Sequence, residues 1–487
     1  MFSRRTALGA IAATLALVHL LRRPCPSAPP LPSGRAALRL QSTVATARVS
    51  QRARLRRAPP PTGGSVPRVY FYDAAPALKL LTAAQRQTYD ALLAAESGDA
   101  EYPERWLSTQ LRHYALETSS AADADVLVVP LWSWAFCRAA GQVWDTWEDR
   151  KRGLFTPCEA YLRYLAWVAA QPSFAARGPQ RHALYVGWPA RWRDLKRVAT
   201  SADDPRRAGG RSGKYWNGRP ATAAERRLLQ TLVSTATILT FEDPEPAQSP
   251  SPNVVSVPYF AQRRRWWLEG APPHSKPLLV TFGGGTLLNS LANVWEVCPS
   301  CPLLSPTELR QQLVRLLCAG EPNAWSKVAP CGAWRPEVGW VSAPATHNSG
   351  DDAEGSGDGK WQLALASAYK RSRFCLVPRG DTRSSKRLVS AIMALCVPVV
   401  ISDGYPLPLS ATVDYAAFVI SLPEWQLFDA EFRLVEFLKA ISAQRLQRMQ
   451  AALLVARRQL LYCESVEDCP EQNAGATLLS TLLRRLT

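Results

Sequence analysis

The chain has 487 residues, 47% hydrophobic and 20% charged, a balance that excludes a single small module, a disordered chain or a fibre. Its formal charge of +18 is unevenly placed, because residues 1 to 72 hold twelve arginines and no lysine or carboxylate. The other 415 residues carry 46 basic and 40 acidic side chains, a net of +6, so the folded part lacks the clustered cation surface that binding nucleic acid requires.

At the front, Arg4 and Arg5 precede fifteen uncharged residues, Ala7 to Leu21, and Arg22 and Arg23 close the run. A helix of that length rises about 22 Å, short of a hydrocarbon core of about 30 Å, so spanning would need snorkelling arginines or a thin bilayer. The favoured expectation is a signal anchor over 1–23; a cleaved signal peptide and an organellar transit peptide are the alternatives. Residues 24–67, rich in Pro, Ala, Ser and Arg, read as a flexible stem.

Of eleven cysteines, ten follow the leader. Cys137 with Cys158, Cys463 with Cys469, and pairings among Cys298, Cys301, Cys318 and Cys331 suit disulfides in an oxidising lumen. A zinc site on the last four is the alternative, but they lack a second closely spaced pair. Cys375 and Cys396 lie in apolar runs and read as inert buried thiols.

Val69–Tyr72 is the first strand signal, followed by the continuous apolar run Val126–Val129 ending at Pro130, then Ala183–Val186 and Ala236–Phe241. Tyr161–Ala170 has helical spacing between them. Continuous apolar strands alternating with helices predict a parallel, doubly wound α/β domain over 68–260. After a Pro-rich connection, Leu278–Phe282 begins a second such domain over 274–440, and helices fill 441–487. Gly283-Gly284-Gly285, without Gly-Lys-Ser/Thr, is no P-loop and permits close approach of a phosphate or a helix. Residues 350–359 are acidic and Gly-rich but lack the last EF-hand ligand, so a solvated loop is expected.

The informative stretch is SRFCLVPRGDTRSSKRLVSAIMALCVPVVISDGYPLPL, Ser372 to Leu409. It parses as strand Phe374–Val377, loop Pro378–Arg383, helix Ser384–Leu395 and strand Val397–Ile401, a βαβ unit. Arg379, Arg383, Lys386 and Arg387 surround the helix start, with Thr382, Ser384 or Ser385 as caps. Four cations beside unpaired first-turn amides repel one another until a multiply charged anion such as a diphosphate lies among them. Pairing of these side chains with carboxylates such as Asp381, or solvent exposure, is the competing structural account.

This stretch resembles the signature of the exostosin family of glycosyltransferases. Supporting echoes are Arg68–Asp73, Ala122–Asp125 before the Val126 strand, Val257-Pro258-Tyr259 and Leu278–Gly284. The resemblance covers about residues 68 to 440. It implies a type II Golgi membrane enzyme with a GT-B fold, two Rossmann-like domains facing across a cleft, that moves a sugar from a nucleotide donor to a polysaccharide or glycoprotein acceptor with inversion. Relatives carry an Arg-Gly-Gly-Asp-His-like run where this chain reads Arg177-Gly178-Pro179-Gln180-Arg181-His182, a departure on the acceptor side. Asp123-Ala124-Asp125 imitates a metal-binding DxD, but it precedes its strand and reads as a strand-entry turn.

The nucleotide-sugar site is therefore expected at Arg379, Gly380, Arg383, Ser384, Ser385, Lys386 and Arg387, with Asp403 or Glu424 receiving ribose hydroxyls. UDP-sugar is the expected donor, no cofactor is required, and metal is dispensable because the cations replace it. For the base that activates the acceptor, the candidates are Asp73, Glu242, Asp243 and Asp403, with nothing to choose among them. Seventeen tryptophans offer flat faces for sugar rings. The expected partners are nucleotide sugar, glycan acceptor, the Golgi membrane and homo- or hetero-oligomers with other glycosyltransferases, not nucleic acid. Two alternatives are a catalytically silent carbohydrate-binding or scaffold relative and, less well supported, a phosphoadenosine-dependent sulfotransferase.

Overall fold

The computed structural model describes residues 67–94, much of 107–140, 159–186, 223–241, 251–259, 276–283, 306–318, 338–341, 357–380, 383–405, 407–462 and 473–486. The apolar segment Ala7 to Leu21, the stem and the acidic loop 350–359 lie mainly or wholly outside the described residues. Among the described residues no helix is long and apolar enough to cross a membrane.

Two all-parallel sheets form the frame. The first contains β1 (Arg68–Phe71), β2 (Leu116–Glu117), β3 (Val126–Val129), β4 (His182–Tyr185), β5 (Thr237–Thr240) and β6 (Val254–Ser256), in the order β2-β1-β3-β4-β5-β6. The second contains β7 (Leu278–Gly283), β8 (Val338–Val341), β9 (Ser372–Pro378), β10 (Val397–Ile401) and β11 (Ile420–Leu422), in the order β11-β10-β9-β7-β8. Both share one plan: the chain starts in the sheet, adds a strand on one side, then crosses back and grows on the other. The resulting topological switch points lie between β1 and β3 and between β7 and β9, where open α/β sheets leave a crevice beyond the strands' carboxyl ends.

These strands are apolar on both faces because each sheet is covered on both sides. In β3, Val126 and Val128 enter one core cluster while Leu127 and Val129 enter another. In β9, Phe374 and Leu376 pack among Leu309, Leu313, Leu317 and Leu427, whereas Cys375 and Val377 face Ala391, Val400 and Tyr369. The cluster containing Cys375 is continuous with Val69, Phe71 and Phe241 of the first sheet, so one apolar core joins the two lobes.

Cys375 and Cys396 are not free thiols but a disulfide, closing 21 residues of chain between β9 and the entry to β10. Both sulfurs belong to fully buried residues. The apolar runs correctly mark burial but carry no sign of the pairing, which depends on adjacent parallel strands: Cys375 stands beside Pro398 in register. Cys137 and Cys318 are each disulfide-bonded as well.

Two helices near the end, Ala443–Leu460 and Ala474–Leu486, contribute Leu453, Leu460, Leu478 and Leu482 to the shared core. The last one touches both lobes. Gln110 Oε1 accepts the amide of Gly475 at 3.0 Å, and Arg485 Nη2 donates to the Val254 carbonyl at 2.9 Å. On the other lobe, Thr481 and Thr412 share a hydrogen bond of 2.9 Å. Gly475 is required there, since a Cβ would stand 2.4 Å from the Cβ of Gln110.

Candidate active site

The helix after β9 is shorter than its sequence pattern suggests. It spans Arg387–Met393, and Ser384 and Ser385 precede it as loop. The reason is a set of local hydrogen bonds that close the loop on itself. The Gly380 amide donates to the Ser384 carbonyl at 3.0 Å, and the Arg387 amide reaches Ser385 Oγ at 3.4 Å. Tyr405 clamps the same turn: its hydroxyl accepts from the Ser385 amide at 3.0 Å and donates to the Ser385 carbonyl at 2.8 Å. Ser402 Oγ donates to the Arg383 carbonyl at 2.9 Å. The expected row of unpaired first-turn amides is thus corrected: Ser385 serves the helix start, its Oγ taking the Arg387 amide and its carbonyl the Leu388 amide at 3.1 Å. At the far end Leu395 turns the chain with φ 53°.

The four cations also separate by environment, Arg383 being half-buried. Arg379 is 2% exposed, and its Nε lies 3.1 Å from Glu424 Oε1 and 3.2 Å from Oε2. Glu424, itself 5% exposed, also accepts the Asp403 amide at 3.3 Å, and Asp403 Oδ1 accepts the Glu424 amide at 3.2 Å. Burial raises the Glu424 carboxyl above its ordinary range, with Arg379 pulling it back down. Lys386 is exposed to solvent. Arg387 lies across the switch point of the second sheet: its Nε donates to the Gly283 carbonyl at the end of β7 at 2.6 Å, and its Nη1 to Ser385 Oγ at 3.2 Å. The picture of four mutually repelling cations is therefore corrected. Arg379 is neutralised by Glu424, a carboxylate 45 residues away; Asp381 lies outside the described residues.

Gly283 accounts for the first glycine of the triplet. A Cβ would lie 2.0 Å from Leu365 Cδ1, so it is the Gly357–Lys370 helix that approaches this backbone closely. The Gly283 carbonyl serves to orient Arg387.

The loop faces the first lobe. Ser384, 3% exposed, has its Oγ 2.8 Å from the hydroxyl of Tyr259, which follows β6. The Tyr259 ring stacks on Phe241 with centroids 4.0 Å apart and planes 5° apart. Nearby, the Leu409 amide donates to the Ser256 carbonyl at 2.8 Å and the Tyr462 hydroxyl to the Pro258 carbonyl at 2.9 Å. Ser384, Ser385 and Arg387 thus meet at the carboxyl edge of the second sheet, against the carboxyl edge of the first. Sequence reasoning did not single out Tyr405 or Arg310; the latter, buried on the Pro306–Leu317 helix, donates from Nη2 to the Arg379 carbonyl at 3.4 Å. No local pattern marks either, since each acts across tertiary contacts.

Of the base candidates, Asp73 and Asp403 lie among the described residues. Asp73, exposed at the carboxyl end of β1, accepts the Ala75 amide on Oδ1 at 2.8 Å, as turn aspartates do. Asp403 is exposed and brackets Glu424 as described. Glu242 and Asp243 lie outside the described residues.

The departing run of the first lobe has a structural use. Gly178 adopts φ 76°, and Arg177 and Arg181 donate to the carbonyls of Ala124 and Asp125 respectively. His182 is 1% exposed; its Nδ1 is 3.0 Å from the Gly178 carbonyl and its Nε2 2.7 Å from the Tyr72 hydroxyl. A carbonyl only accepts, so Nδ1 carries the proton of the neutral ring and Nε2 accepts from Tyr72. Burial lowers His182 to about 4. Asp125 Oδ2 accepts the Arg68 amide at 2.8 Å, which makes the DxD-like triplet a strand-entry turn at the amino edge of the sheet, opposite to Tyr259.

The protein thus has two parallel α/β sheets, with an Arg/Ser loop at the switch point of the second sheet turned toward the first. The Exostosin GT47 domain matches residues 64–437, and the chain belongs to this family of glycosyltransferases. It is 36% identical over 99 residues to a probable arabinosyltransferase, ARAD1, of Arabidopsis thaliana, a match covering 20% of this chain and 22% of that protein. It is likewise 36% identical over 120 residues to a probable glucuronoxylan glucuronosyltransferase of the same plant, covering 24% of each. The matched stretches are thus about a quarter or less of those relatives' own lengths. Among solved structures, the calicheamicin glycosyltransferase CalG4 aligns over 87% of this chain and 100% of its own, with a TM-score of 0.30 and 14% identity.

Proposed function

We propose that the chain is a GT-B glycosyltransferase that transfers a sugar from a UDP-sugar to a polysaccharide or glycoprotein acceptor with inversion. The observation that carries this is Arg387, held across the β7/β9 switch point by the Gly283 carbonyl and Ser385, beside Ser384 at the junction of the lobes. In such a transfer the bond from the anomeric carbon to the diphosphate breaks as the acceptor hydroxyl oxygen bonds to that carbon and yields its proton to a base, and negative charge builds on the departing phosphate. Arg387, Arg383 and the hydroxyls of Ser384 and Ser385 stabilise that charge, doing the work of a divalent ion. Arg379, locked to Glu424, is the rigid wall behind them, and the Asp403–Glu424 bracket offers carboxylate oxygens toward ribose hydroxyls.

The family supports an acceptor that is a glycan. The buried Cys375–Cys396 disulfide, with the basic apolar leader, supports residence in the lumen of the secretory pathway, on the Golgi membrane. A silent carbohydrate-binding relative is the second reading, favoured by the binding of Arg177 and Arg181 to backbone carbonyls. Arg387→Ala decides the first point. The variant is expected to keep its fold and lose UDP affinity by roughly 10- to 100-fold, the loss of charge-assisted hydrogen bonds, as measured by calorimetry. Unchanged affinity removes the site, and transfer assays across a panel of UDP-sugars, with and without chelator, separate enzyme from silent relative.

A further inference from the structure

We propose that the peptide bond between Arg57 and Ala58 is a processing site, cut in the secretory lumen by an endoprotease that selects paired arginines, and that the cut frees the two-sheet fold from its leader. This rests on the reading that the chain enters that lumen, and it goes beyond the transfer reaction.

The observation is the run Arg52-Ala53-Arg54-Leu55-Arg56-Arg57. An endoprotease takes its substrate as an extended strand, in which successive side chains point to opposite sides. Bound that way, Arg52, Arg54 and Arg56 share one side and Arg57 takes the other, so a cleft with carboxylates on both walls meets four guanidinium forks. Basic composition alone does not explain this order. Other adjacent basic pairs include Arg22-Arg23, Lys151-Arg152, Arg206-Arg207 and Arg457-Arg458, and no pair in the chain but Arg56-Arg57 has an arginine two positions ahead of it.

The place of the run suits a cut that spares the fold. The unit that carries both sheets begins at Val66, and the family match at residue 64. Arg68, the first residue of β1, is fixed: its amide donates to Asp125 Oδ2 and its carbonyl accepts the Asp125 amide, each at 2.8 Å. Residues 60–67 can extend by up to about 26 Å, which lets Arg52 to Pro59 enter a cleft while β1 stays paired with β2 and β3. In the step, water adds across the amide as its C–N bond breaks; the Arg57 carbonyl carbon gains the hydroxyl and the Ala58 nitrogen the hydrogen. The product, 58–487, keeps every strand and both of the last two helices. It loses eleven arginines and no acid, so its formal charge falls from +18 to +7.

The test expresses the full chain, tagged at its carboxyl end, in a eukaryotic host whose secretory lumen holds such a protease, beside the variants R57A, R54A and, as a control, R39A. The unaltered chain is expected in the medium, eluting earlier from a cation exchanger and giving Ala58 as its first residue on amino-terminal sequencing. R57A is expected to lower release by at least about 100-fold, because a pocket built for guanidinium is left with an unpaired carboxylate. R54A should lower it roughly tenfold, the worth of one charge-assisted contact, and R39A should not change it. A different first residue, or release of R57A at the level of the unaltered chain, overturns the inference. Protease protection of the tag in microsomes separates the two readings. If the tag lies outside the lumen, the proposed residence falls and the inference with it; if the tag is luminal and the chain stays whole, the inference alone falls.

Discussion

Replacing Arg379 by methionine keeps much of the side chain's length and apolar stem while deleting the charge that faces Glu424. Both groups are almost wholly buried, 2% and 5% exposed, with the closest nitrogen and oxygen 3.1 Å apart. At an effective dielectric near 20, that separation corresponds to about 5 kcal/mol of attraction, close to the roughly 3 to 5 kcal/mol typically lost when one partner of a buried pair is removed. The Glu424 carboxyl is raised by burial even with Arg379 present, and without it rises further. A carboxyl raised in the folded state stabilises below its unfolded value and loses that contribution as pH climbs through the folded value. Stability of Arg379→Met should therefore fall by up to about 1.4 kcal/mol for each pH unit within that window. Urea unfolding at pH 5 and at pH 8 measures this, the variant being expected to lose about 4 kcal/mol at the higher pH and clearly less at the lower. Arg379→Met combined with Glu424→Leu removes both charges and should recover most of the loss. A loss below about 1 kcal/mol at pH 8, or the same loss at both values, would refute the electrostatic account.

Two further outcomes follow from buried groups elsewhere. His182, lowered to about 4, binds its proton far more readily when unfolded, so stability should rise by roughly 3 kcal/mol between about pH 4 and pH 6.5. His182→Phe should flatten that part of a melting-temperature profile, and an unchanged slope would show that other groups drive it. Separately, Cys375→Ala with Cys396→Ala opens a loop whose ends are 21 residues apart, worth about 3 kcal/mol of unfolded-state entropy. Denaturant midpoints of the two forms check it, and a midpoint that does not move would mean that the packed core alone fixes β9 against β10.

Much of the frame is legible in the residues because buried parallel strands are written as apolar runs. Val126–Val129 and Val397–Ile401 stand as read, and β9 extends its expected core by two residues before and one after. The short strands Leu116–Glu117 and Val254–Ser256 have no such run and escape notice, being defined by their neighbours in the sheet. The helix start is misplaced by sequence pattern because Ser384 and Ser385 look like caps, whereas contacts from Ser402 and Tyr405, about 20 residues away, draw the turn into a closed loop. Local charge singles out Arg379 and Arg387 as candidates. Their partners, Glu424 and the Gly283 carbonyl, lie 45 and 104 residues away, a distance at which sequence carries no periodicity. The Cys375–Cys396 bond is hidden for the same reason, its two halves resembling ordinary core positions.

The helix Ala474–Leu486 has a consequence for how the chain is made. Its contact with Gln110 joins positions 365 residues apart, so the amino-terminal sheet leaves the ribosome long before the surface that covers part of it exists. Until then Leu107 and Leu111 lack neighbours such as Leu478 and Leu482 in their shared cluster. Full burial of the early lobe therefore waits until Ala474–Leu486 has been made, a long-range closure of the kind that slows folding. Expression of either lobe by itself should give an aggregating fragment rather than half an enzyme.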